Sequence, residues 1–137
     1  MVRQAQKNPP KRGKERFSDG IGIICIKVSF NNTLVTITDL EGKVVYWLSA
    51  GRCGWKGTRK RTAHAGRVVT ETAIQHCVEQ HRLRRAAVVI KGGGAGRDNA
   101  VKYAVRARRR FGVQINHVRD ITGLPHNGCR PPNKRRT

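Results

Sequence analysis

Between Ala86 and Phe111 the chain passes from an apolar run, through a glycine loop, into a helix pattern carrying a row of cations. That succession limits what the rest of the chain can fold into. Ala86-Ala87-Val88-Val89-Ile90 has no polar alternation, which predicts a strand covered on both faces, as in a parallel sheet flanked by helices. Lys91-Gly92-Gly93-Gly94-Ala95-Gly96-Arg97 permits a tight turn and is expected to leave backbone N–H groups uncovered by side chains. Asp98 is the expected N-cap of the following helix. On that helix Val101, Ala104, Val105 and Phe111 are expected to share a core-facing side. Lys102, Arg106, Arg109 and Arg110 fall at the i, i+4, i+7 and i+8 positions of the other side.

The remaining elements follow from periodicity. Ile24, Ile26, Val28 and Phe30 alternate with Cys25, Lys27 and Ser29, predicting a strand from Ile21 to Phe30. Asn31-Asn32 predicts a tight hairpin in which Asn accepts positive φ. The return strand is Thr33 to Thr38, and after the turn Asp39-Leu40-Glu41-Gly42 a third strand runs from Lys43 to Ser49. Thr62 to Gln80 reads as a helix, with Ala65, Val69, Ala73 and Cys77 four apart and Val68, Ile74 and Val78 widening the stripe. Gly112 suits the end of the basic helix, and Val113 to Ile121 reads as the last strand. Three strands followed by helix, strand, helix and strand imply an α/β fold: a mixed five-stranded sheet flanked by two main helices. A basic arm over 1–20, expected to be disordered, and an extended basic tail over 122–137 bracket a single domain over 21–121.

Charge then decides the class of partner. Lys and Arg number 29 against 8 Asp and Glu, a formal net charge of +21. Self-repulsion at that charge opposes a compact monomer unless a polyanion neutralises it, and nucleic acid is the leading candidate. No apolar stretch is long enough to span a bilayer, so no membrane partner is expected. With 3 Phe, 2 Tyr and 2 Trp, a platform on which successive bases stack is not expected. The expected target is structured nucleic acid gripped by its phosphates. Within Ala50 to Arg61, three glycines accompany Arg52, Lys56, Arg59, Lys60 and Arg61 in an irregular basic projection. Trp55 there either stacks on a base or sugar or plugs the loop onto the sheet.

Other chemistry is weakly supported. The glycine loop fails the dinucleotide fingerprint, because Arg97 or Asn99 stands where the third glycine belongs. No P-loop is present. A backbone-phosphate site beside Lys91 and Arg97 remains. Cys25, Cys53, Cys77 and Cys129 are dispersed and without a C-x-x-C pair, so neither a metal, a cofactor nor a disulfide framework is expected. The acids do not fall where a two-metal nuclease needs converging carboxylates. No enzymatic activity and no small-molecule substrate are expected. Asn127-Gly128 is an isoaspartate liability, since the unhindered Gly128 nitrogen can attack the Asn127 side chain.

The tail Pro125-His126-Asn127-Gly128-Cys129-Arg130-Pro131-Pro132, followed by Lys134-Arg135-Arg136, resembles the C-terminal signature of the bacterial-type small-subunit ribosomal protein eleven family. Ser29 to Thr33, Cys53 to Arg59, Gly94 to Arg97 and Val118 to Asp120 match its other motifs in order, so the resemblance covers Ile21 to Arg136. It implies a ribonuclease-H-like fold without nuclease activity, placed in the small-subunit platform on small-subunit rRNA, with neighbouring ribosomal proteins as partners and mRNA nearby. It also implies RNA-facing roles for Asn31, Asn32, the Arg52 to Arg61 loop, Arg97, and the tail residues His126, Asn127, Arg130, Lys134, Arg135 and Arg136. Trp55 stands where the family usually has Phe. Gly93 and Gly123 replace prolines, and His64-Ala65 falls where a Pro-Phe-Ala run is usual. These departures point to an organellar version, plastid or mitochondrial, over a bacterial one. A free-standing RNA-binding regulator or chaperone is the alternative.

Overall fold

The computed structural model describes residues 17–133 and Arg136. Five strands, β1 (Ile21–Val28), β2 (Thr33–Thr38), β3 (Val44–Ser49), β4 (Arg85–Lys91) and β5 (Gln114–Asp120), form one sheet in the order β3-β2-β1-β4-β5. Two helices, α1 (Ala63–His81) and α2 (Arg97–Phe111), make the crossovers. β1, β2 and β3 are an antiparallel meander, whereas β1, β4 and β5 are parallel. The predicted element order and mixed sheet are both present, with strand ends shifted by one or two residues.

The sidedness of the sheet differs from expectation. The connections β3–α1–β4 and β4–α2–β5 both step across the sheet in the same direction. Right-handed crossovers therefore put both helices on one face, where α1 and α2 pack along each other. Burial records it. Ala86, Val88 and Ile90 of β4 are buried, but the intervening Ala87 and Val89 are only half-buried. In β1, Ile24, Ile26 and Val28 are buried while Ile21, Ile23 and Cys25 are half-buried. The apolar run in β4 thus has one helix-covered side and one that no other described element covers.

The core is aliphatic, and fully burying an Ile or Val such as Ile24, Ile26, Ile37 or Val88 contributes about 1.5–3 kcal/mol each. The helices approach closely through small residues: Ala65, Gly66 and Ala73 on α1, and Ala100, Ala104 and Ala107 on α2, are all buried. A Cβ on Gly66 would lie 2.7 Å from the Gly96 carbonyl oxygen. Val105 is therefore not a core residue; it is 47% exposed on the cationic side of α2, and Ala107 takes its place in the interface. Phe30 is likewise exposed, because β1 ends at Val28. The folded part also starts earlier than Ile21: Phe17 is 5% exposed, packed against His81, and Gly20 is joined to Arg84 by a backbone hydrogen bond. The rest of the expected arm, 1–16, lies outside the described residues, as do Lys134 and Arg135 of the tail.

Candidate nucleic-acid interface

β3 runs parallel to β1, β4 and β5, since two antiparallel pairings separate it from β1. The segments that follow these four strands consequently leave from one end of the sheet. They are the 29–32 turn, the 50–62 loop, the glycine loop and the C-terminal tail. In α/β sheets the carboxyl end of the parallel strands is where loops converge on a ligand. Asn31, Asn32, Arg52, Trp55, Lys56, Arg59, Lys60, Arg61, Lys91 and Arg97 are all carried there, although they span 67 positions of sequence from 31 to 97.

The turn after β1 is built differently from a two-residue hairpin. The Ser29 amide donates to the Asn32 carbonyl at 2.9 Å, and the Asn32 side-chain oxygen accepts from the Thr33 amide at 2.9 Å. Neither Asn adopts positive φ; Asn32 acts as a turn former through its amide, and Asn31 points outward, exposed.

The glycine loop is not an open cradle. Gly92 has φ +99, and a Cβ there would lie 1.9 Å from the Val28 carbonyl oxygen; one on Gly94 would lie 2.1 Å from that of Ser29. These glycines let the loop lie directly on the end of β1. The Gly92 amide is already occupied by the Thr122 hydroxyl at 3.1 Å. Asp98 is not the cap: α2 starts at Arg97 with Gly96 as N-cap, and Asp98 sits in the first turn, where its charge suits the helix dipole. Gly96 holds the cap position because Gly66 and the Thr33 hydroxyl crowd it; a Cβ would lie 2.7 Å from Thr33 Oγ1.

Arg97 ties the loop to the tail. Its guanidinium donates to the Gly92 carbonyl at 2.8 Å and to Asp120 Oδ2 at 2.5 Å. The other Asp120 oxygen accepts from the Thr122 amide at 2.9 Å and the Thr122 hydroxyl at 2.6 Å. The Arg97 hydrogen bond, then those from Thr122, hold the Asp120 carboxyl well below the usual carboxylate range. Arg97 is thus a positioning group fixing where the tail departs, and its side chain is already engaged.

In the 50–62 loop, Trp55 packs partly buried against the core and meets the His64 ring edge-on at 5.4 Å, which is the plug arrangement. Arg52 lies 4.7 Å over the Trp47 ring and donates to the Trp47 carbonyl at 3.2 Å. Gly57–Arg61 forms a 3-10 turn, and the Thr62 hydroxyl caps α1 by accepting from the Ala65 amide at 3.2 Å. Lys56 and Arg59 are exposed, and with Cys53, Gly54 and Trp55 they line an open depression of about 430 Å³.

The four α2 cations form a second, separate surface, since the helix starts at the loop end and runs away from it. Lys102, Arg106 and Arg109 are exposed, but Arg110 pairs with Glu71 on α1 at 2.6 Å. Tyr103 carries Arg67 at 4.5 Å and Arg106 at 5.7 Å from its ring. In the tail, His126, Asn127 and Arg130 are exposed without regular structure, Asn127 at φ 53, and Arg136 is exposed too. Sequence reasoning missed Gly66, Thr33, Thr122 and Phe17, whose roles come from partners distant along the chain. Among the described residues no group of three potential metal ligands converges.

Known proteins of one family are similar to this chain along most of its length. The family model described as Ribosomal protein S11 matches residues 22–136. The chain is 48% identical over 136 residues to the small ribosomal subunit protein uS11c of Physcomitrium patens, covering 99% of both chains. It is 51% identical over 127 residues to the protein of that name from Pleurastrum terricola, covering 93% of both. With that of Acorus calamus the identity is 55% over 115 residues, 84% of this chain and 80% of that protein.

Proposed function

This chain belongs to the ribosomal protein S11 family, and from that premise we propose that it holds small-subunit rRNA with the loop end of its sheet. It is a structural constituent of the small ribosomal subunit of an organelle, and not an enzyme. The single observation that carries the RNA-facing reading is the convergence, at one end of the sheet, of loops from four strands bearing exposed cations. Asn31, Lys56, Arg59, Lys60, Arg61 and Lys91 make the phosphate and sugar contacts. Asn32, Arg52, Trp55 and Arg97 shape the loops that present them. Binding is by phosphate neutralisation and shape, with sequence carried by the fold of the RNA.

The tail, with His126, Asn127, Arg130, Lys134, Arg135 and Arg136, departs from the Arg97–Asp120 clasp and extends the same contact. Lys102, Arg106 and Arg109 address a second RNA segment, or a turn of the same one, along α2. Placement in the platform near the mRNA exit region belongs to this proposal, as does a plastid as the organelle; the uS11c relatives support the latter.

Crosslinking the protein to RNA in organelle lysate, beside a salt-washed ribosome fraction, tests the reading. Crosslinks at a few small-subunit rRNA sites from Lys56, Arg59 and Lys91 are the expected result. Crosslinks spread over many messengers, with the protein absent from washed subunits, would replace it with a free-standing RNA-binding regulator.

A further inference from the structure

The face of the sheet opposite the helices is the largest feature that RNA binding does not use. Cross-strand register assigns its floor: Ile23 and Cys25 of β1 lie beside Ala87 and Val89 of β4, with Leu34 and Thr36 of β2 and Trp47 of β3 on the same side, Thr36 lying between Cys25 and Trp47. Trp47 is 47% exposed, and the other six are half-buried. At about 4.8 Å between strands, five strands make a face roughly 20 Å wide. Apolar side chains occupy the β1 to β4 part of that width, with Gln114 and Arg119 of β5 at its edge, and a contiguous apolar patch of this kind marks an interaction surface.

Its charge is one-sided. Lys27 and Lys91 stand side by side at the loop end, Arg85 at the opposite end, Arg119 beside Val89 on the β5 edge, and Arg52 over Trp47 on the β3 edge. No strand position that the register places on this face is acidic. We infer that this open face docks a segment of a neighbouring protein whose middle is apolar and whose flanks carry carboxylates. Phosphates laid over this floor would lose hydration and find few donors among its aliphatic side chains, Thr36 supplying the hydroxyl between Cys25 and Trp47, and the one aromatic ring on the floor already carries Arg52. An apolar side-chain row removes that floor from water, while carboxylates meet the rim cations and set the orientation.

This inference rests on the ribosomal reading above. The test places the photoreactive residue p-benzoylphenylalanine at position 47 of the full chain, an aromatic for an aromatic, and incorporates it into small subunits. Alkylation of Cys25 is compared in the unsubstituted free chain and in salt-washed subunits. The expected result is a crosslink to a protein peptide with acidic residues flanking apolar ones, and Cys25 alkylation slowed about tenfold or more in subunits. Crosslinks to RNA, to this chain itself, or to a basic peptide would overturn the inference while leaving the ribosomal reading intact. So would a Cys25 equally reactive in both states. Failure to enter subunits at all would overturn both.

Discussion

At the loop end of the sheet the cations are carried by backbone that is itself pinned, whereas along α2 they project from a helix that presents them by periodicity alone. The glycine loop lies against the carbonyls of Val28 and Ser29, and Arg97 joins it to Asp120 and through it to Thr122. Lys102, Arg106 and Arg109 need only the helical repeat to share a side. The first arrangement is brittle and geometrically defined; the second tolerates change. A surface that must match a folded RNA needs the first kind, because phosphate positions in structured RNA are fixed and contacts misplaced by about an ångström lose most of their value.

The sharpest way to break this contrast is at Gly92. Gly92→Ala forces a Cβ into the Val28 carbonyl at positive φ and should cost about 3 kcal/mol or more, lowering Tm by about 10 °C. Gly123→Ala, with nothing within 4 Å of its Cβ position, should stay within about 0.5 kcal/mol. Equal thermal melts for the two variants would mean the loop is not pinned.

RNA affinity separates the two regions next. Replacing Lys56, Arg59, Lys60 and Lys91 by Ala should reduce the slope of log K against log salt by about 3, and replacing Lys102, Arg106 and Arg109 by about 1–2. Titrations of an rRNA fragment at several salt concentrations give both slopes. A larger loss from the helix set would reverse the ranking of the surfaces.

Within α2, burial against exposure can be tested at adjacent positions. Ala104 is fully buried against α1, so Ala104→Val should overpack the interface by about 1–3 kcal/mol. Val105→Lys, on the exposed side, should change stability by no more than about 0.5 kcal/mol. Urea midpoints of the two variants decide it.

The subtlest effect concerns the clasp. Asp120 has its folded carboxyl held below the usual range, so its contribution is complete above the unfolded Asp value of about 3.9 and is lost only as pH falls further. The Thr122 amide should stay protected from hydrogen exchange down to about pH 4 and be unprotected at every pH in Asp120→Ala, which removes the acceptor. Protection unchanged in that variant would show that the tail is fixed by something other than the clasp.

How much of this was legible beforehand depends on the range of the interaction. Alternation in Ile21 to Val28, the four-residue spacing of Ala65, Val69, Ala73 and Cys77, and the positive αL end at Gly112 are local regularities, and each element stands where they put it. The cations of the 50–61 loop were visible as composition. That Trp55 packs partly buried against the core and edge-on to His64 was not legible, since both sequence readings bury an aromatic ring.

By itself the sequence determined the order of strands and helices, the mixed sheet and the affinity for a polyanion, because period and charge are properties of neighbouring residues. Only the tertiary structure decided which face of the sheet is covered. An unbroken apolar run is equally apolar on both sides, and it is the shared direction of two right-handed crossovers that leaves one side bare. Tertiary contact also decided that Gly66 meets Gly96, that Ala107 replaces Val105 at the helix interface, and that Arg97 turns toward Asp120. Each of these is set by a partner more than 20 positions away or on another element, where no local period reaches.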